Sequence, residues 1–149
     1  MEIIAHLNMI PPTHTHQDKG LTTRYGKPVI YQRRESADTR EAIRSRLIQY
    51  IPDQPLEGPL YAEINFFYPP TEMAKSKMKK RGMISLPKST KPDLDNLAKQ
   101  LLDVMQELGF YRNDSQIWDL FLTKRYHENP RIEIYISETN KFIENIDMY

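Results

Sequence analysis

Residues 91–116 read KPDLDNLAKQLLDVMQELGFYRNDSQ, and the spacing of their apolar side chains decides the architecture. Leu97, Leu101, Met105 and Leu108 recur at three- and four-residue intervals, with Ala98, Leu102 and Val104 alongside. That period predicts an amphipathic helix over residues 95–108 with one buried stripe. Pro92 favours extended geometry just ahead of it, and Gly109 stands where a left-handed C-cap is expected.

The flanking chain supplies a sheet for that helix. Residues 2–10 alternate weakly and read as a strand closed by Pro11-Pro12. Residues 13–32 are turn-rich, with a β-like run at 28–31. Ser36 is a good N-cap for a helix over 36–50, with Ile43, Leu47 and Tyr50 at helical spacing and Pro52 as its stop. LYAEINFFY at 60–68 alternates as a strand and ends at Pro69-Pro70. Residues 69–92 show little apolar periodicity and read as a long basic loop. Residues 117–125 and 131–137 alternate strongly, and HENP between them predicts an antiparallel hairpin. The acidic tail, 138–149, reads as a frayed helix or a partner-docking segment. The order β, α, β, α, β, β predicts a single α+β domain, a mixed sheet carrying two main helices.

Composition narrows the function classes. At 149 residues the chain suits one domain with its own core; it has no cysteine, which excludes a disulfide framework and a thiolate zinc finger. No run approaches the roughly 20 apolar residues of a membrane span. MEIIAHLNMIPP lacks the basic and long apolar regions of a signal peptide. The expectation is a soluble, cytoplasmic protein with no membrane partner and no organic cofactor. The net charge of +1 hides clustering: seven Lys or Arg against Glu72 between Thr71 and Lys91, and eight bases against three acids between Lys19 and Arg46. Such patches suit nucleic acid, although a solvated charged face has the same composition.

The chemistry-bearing residues gather around the predicted helix. With Asp93 still extended and Asp95 in the first turn, both carboxylates can reach one point ahead of the helix while Leu94 turns inward. The alternative is one N-cap and one acid complementing the helix dipole. Lys99, four residues beyond Asp95, lies on the same face; it is either an ordinary helix ion pair or an ammonium beside a phosphate. Asp103, one turn further, reads as a structural acid orienting Lys99. Asp114 lies in an Asn-Asp-Ser turn, a common setting for a plain turn residue. It joins the other two only if the chain returns toward them, along an adjacent element or across a partner. Two or three carboxylates plus substrate phosphate suffice for magnesium, which activates water and stabilises an in-line displacement.

The basic segment Lys75, Lys77, Lys79, Lys80 and Arg81 reads as a phosphate-contacting loop that Arg40 and Arg44 could extend. His14 and His16 read as a substrate loop more than a zinc site. Trp118 and Phe121 read as packing residues.

DLDNLAK at 93–99, the spaced Asp103, and GFYRNDSQ at 109–116 resemble the RusA-type Holliday junction resolvases, in a phage- or prophage-associated branch. IPPTHTHQDK is similar to that branch's N-terminal loop. The resemblance spans nearly the whole chain and implies a magnesium-dependent homodimer, with manganese as a substitute, that nicks four-way DNA junctions in symmetric pairs. It implies Asp93, Asp95 and Asp114 as catalytic, metal-binding carboxylates and Lys99 as the catalytic lysine. Asn113 replaces a second acid common in the family, and the basic segment is longer than in compact members. Two other readings compete: a non-catalytic branched-DNA-binding replication accessory protein, and a nuclease acting on flaps and other branched intermediates.

Overall fold

LYAEINFFY forms the central strand of the molecule because every second side chain along it, Leu60, Ala62, Ile64 and Phe66, is buried. The computed structural model describes residues 1–14, 19–24, 26–32 and 34–139. In chain order its elements are β1 (Glu2–Leu7), β2 (Lys19–Arg24), β3 (Lys27–Gln32), α1 (Arg34–Leu47), β4 (Leu60–Tyr68), α2 (Glu72–Arg81), β5 (Ser85–Pro87), α3 (Leu94–Leu108), β6 (Ile117–His127) and β7 (Arg131–Glu138). Five strands form one mixed sheet in the order β1-β7-β4-β6-β5, and β2 and β3 form a separate hairpin. Strand β4 is parallel to β6 and antiparallel to β7. The domain is α+β.

One core holds the layers together. Ile3, Ala5 and Leu7 of β1 and Ile132, Ile134 and Ile136 of β7 continue the buried row of β4. Against it pack Ile43 and Leu47 of α1 and Leu97, Leu101, Val104 and Met105 of α3. Each such aliphatic side chain contributes about 1.5–3 kcal/mol on burial, so this row outweighs any single polar contact. Among the described residues no helix is long and apolar enough to cross a membrane.

Two expectations are corrected. Strands β6 and β7 do not form a hairpin, because β4 lies between them and pairs with both. The most apolar strand takes the centre, and the HENP turn carries the chain across its end. Residues 69–92 are not a loop throughout. Thr71 caps α2 by accepting from the Ala74 amide at 3.1 Å, and Gly82 closes it in the left-handed region, φ 60°. Only Ala74 and Met78 of α2 are buried. Good helix formers and two caps build it without a broad apolar stripe. The acidic tail lies, from residue 140, outside the described residues.

One α3 residue opposes the fold. Gln100 is fully buried and, among the described residues, neither polar atom of its amide has a hydrogen-bond partner. An unmet buried amide costs about 1–3 kcal/mol. Gln100→Met, of similar shape and helix propensity, is expected to raise stability by about 1 kcal/mol or more. Urea unfolding followed by circular dichroism checks this; a lower midpoint defeats it.

Candidate active site

The carboxyl ends of parallel strands are where α/β sheets characteristically place ligands, and the ends of β4 and β6 meet this description. Here the segment between β5 and α3 delivers Asp93 as the N-cap of α3, in extended geometry. Its carboxylate makes no capping hydrogen bond, so it is not spent on the helix. Among the described residues Asp95 accepts only from the amide of its neighbour Asn96, at 3.0 Å. Both side chains are exposed.

A residue missed in the sequence reading underlies this segment. Lys124 of β6 donates its ammonium to the carbonyl of Pro92 at 2.7 Å and to that of Thr90. The Lys88 amide donates to the Lys124 carbonyl at 2.9 Å. The Lys88 ammonium stands 5.1 and 5.2 Å from the ring centres of Tyr68 and Tyr126. Burial lowers the Lys124 pKa and the Lys88 charge adds to this, while Asp93 opposes them. The hydrogen bond with Thr90 lowers the Tyr126 phenol, assisted by Lys88. The signal for Lys124 was available: it follows Leu122, which packs against the core, at the same parity, a charge in a partly buried row.

Pro12, in the segment after β1, reaches the same edge. The buried Tyr68 hydroxyl donates to the Pro12 carbonyl at 2.5 Å. His14 follows at an exposed bend, whereas His16 lies outside the described residues.

The other expected carboxylate is far away. Asp114 opens a 3-10 turn whose geometry comes from Gln116: its Oε1 accepts from the Arg112 and Asn113 amides, and its Nε2 donates to the Leu56 and Gly58 carbonyls. The Asp114 amide donates to Gln106 Oε1 at 2.8 Å. Gln106 is thirteen residues along α3 from Asp93, about 20 Å at 1.5 Å per residue. The path down β6 agrees: seven residues separate Ile117, beside the Asp114 turn, from Lys124, beside Asp93, about 23 Å of strand. Asp93 and Asp114 therefore sit at opposite ends of one layer.

Between them lies a second polar group. Lys99 pairs with Asp103 at 3.2 Å, so its ammonium turns toward the C-terminus of α3. The buried Tyr111 hydroxyl donates to the Leu102 carbonyl at 2.6 Å. Burial raises its pKa, and the charges of Asp114 and Asp103 add to that. Among the described residues no three acidic or histidine side chains gather as a metal cluster.

The basic residues divide into two sets. Lys75, Lys77, Lys79, Lys80 and Arg81 are all exposed on α2, which follows β4 after three intervening residues. Lys75 pairs with Glu72 at 3.2 Å. Lys75 and Lys79 line a cleft of about 570 Å³ together with His127, the last residue of β6, and Glu128 of the turn after it. Arg40 and Arg44 instead hold the two carboxylate oxygens of Glu107, Arg44 at 3.1 Å. They clamp α1 to the last turn of α3, at the end away from Asp93. Trp118 and Phe121 are 52% and 49% exposed, and Trp118 donates to the Thr139 hydroxyl at 3.0 Å.

Comparison with known proteins gives the family of the chain. A family model described as endodeoxyribonuclease RusA matches residues 10–137. A protein of Lactococcus phage r1t named crossover junction endodeoxyribonuclease rusA is 37% identical over 126 residues, 83% of this chain and 88% of that protein. The uncharacterized protein YqaN of Bacillus subtilis (strain 168) is 35% identical over 97 residues, 62% of this chain and 66% of that protein.

Proposed function

The chain belongs to the endodeoxyribonuclease RusA family, and from that premise we propose that it is a magnesium-dependent homodimer resolving four-way DNA junctions by paired nicks. The observation that carries the dimer is the separation of Asp93 and Asp95 from Asp114 by the length of α3. Each centre takes Asp93 and Asp95 from one copy and Asp114 from the other. The proposed compartment is the cytoplasm, with the DNA.

The Asp93–Asp95 pair suits magnesium, which keeps much of its water and needs one or two protein carboxylates beside substrate phosphate. A divalent cation bound there supplies Lewis acidity and lowers the pKa of a water. The chain's own residues do the rest. Lys99, one turn beyond Asp95, brings an ammonium to offset charge developing on the scissile phosphate. Asp103 holds that ammonium until the phosphate arrives. The bases of α2 hold the backbone of an arm, and two copies put two centres across one junction.

The test is incubation of the purified protein with a synthetic four-way junction, with and without magnesium, alongside sedimentation of the protein alone. A dimer that makes symmetric nicks only with magnesium is expected. A monomer, or cleavage confined to flaps or linear duplex, overturns the reading.

A further inference from the structure

We propose that Lys124 is a positioning residue for the nuclease centre: its ammonium pins the carbonyls of Thr90 and Pro92 and so fixes the backbone from which Asp93 projects. This rests on reading Asp93 as a metal ligand. Lys124 is level with the buried Phe66 in the β4–β6 register, in the row that the neighbouring strands fill with apolar side chains. A lysine there loses hydration, and that cost is met only by hydrogen bonds of good geometry. Two of its three N–H groups are committed to Thr90 and Pro92, residues next to and near Asp93 in the chain.

The placement is also specific in direction. β6 is a strand of the five-stranded sheet, and its Lys124 carbonyl takes the Lys88 amide while its side chain takes Thr90 and Pro92. One residue thus ties both ends of the segment that leads into α3. Fixing the backbone is how a supporting residue raises the affinity of a ligand it does not share. Lys99 lies further along α3 and is held by Asp103, so it cannot substitute.

Two roles for Lys124 predict opposite signs. As a bare positive charge near Asp93 it opposes a cation, and its removal tightens metal binding. As a positioner its removal weakens metal binding, because Asp93 loses its fixed geometry. The experiment is Lys124→Met in the full chain, with Mn²⁺ binding to the protein read by electron paramagnetic resonance. The expected result is at least a fivefold loss of Mn²⁺ affinity and a similar rise in the magnesium midpoint for junction nicking. Metal-free junction binding is expected to stay within twofold.

Unchanged or tighter Mn²⁺ binding overturns the proposal. Lys124→Gln, which keeps a donor, is expected to fall between wild type and Met, and it carries the measurement where Met does not fold. If neither variant unfolds cooperatively, Lys124 is a folding residue and the proposal is overturned. Asp93→Asn is measured in parallel. Should it retain Mn²⁺ binding and nicking, the ligand reading itself fails; should it lose both while Lys124→Met loses neither, only the positioning role fails.

Discussion

Mixing Asp93→Asn with Asp114→Asn protein is expected to restore nicking that neither variant performs alone. In the proposed homodimer each variant damages both centres, because each centre draws Asp93 from one copy and Asp114 from the other. Loss of a metal ligand from a centre built on electrostatic stabilisation is expected to cost roughly a thousandfold in nicking rate, about 4 kcal/mol of barrier. A mixed dimer behaves differently. One of its centres carries both substitutions and the other carries neither. It therefore nicks one strand per junction and yields nicked four-way DNA in place of resolved duplexes. Asp93→Asn mixed with Asp95→Asn gives no such rescue, because both residues lie at the same end of α3 and every centre keeps one lesion. If the three carboxylates met within one chain, the Asp93–Asp114 mixture would stay as inactive as its parents. Denaturing gels of junctions labelled on each strand read the difference directly.

Local signals carried much of the fold. The alternation in LYAEINFFY gave β4 its observed limits, and Leu97, Leu101 and Met105 with Gly109 at φ 88° gave α3 and its stop. These depend on side chains a few residues apart. Strand order does not: β7 passes β6 to pair with β4 because a central strand needs two partners, a property of the whole sheet. Helix α2 escaped because only Ala74 and Met78 reach the core, too narrow a stripe to show as a period. The site was legible as residue types and illegible as distances. DLDN announced a paired carboxylate at a helix start, but the 15 residues of α3 carry the following turn away from it. Lys124 was hidden for another reason. Its role is to hold backbone carbonyls, and backbone leaves no mark in the sequence beyond one charge at an inward position.

Neutralising Lys77, Lys79 and Lys80 together as glutamine is expected to flatten the salt dependence of junction binding by about 2.7 in log–log slope, three contacts at about 0.9 each. Between 50 and 200 mM salt that reduces the salt-driven loss of affinity by roughly 40-fold, with weaker binding at low salt. The substitutions leave the supports of α2 intact: the Thr71 cap, Gly82, and the buried Ala74 and Met78. Glutamine propagates a helix nearly as well as lysine, so the measurement reports charge and not unfolding. Arg40→Gln with Arg44→Gln is the counter-experiment. Those guanidiniums are held by Glu107, so the slope is expected to stay put while the melting temperature falls. Fluorescence anisotropy over a salt series with a labelled junction gives both slopes. Equal flattening by the two sets would extend the DNA track to α1. No flattening by the lysine set would make α2 a solvated face, because its charges reach phosphate only by releasing counterions, and counterion release is what the slope counts.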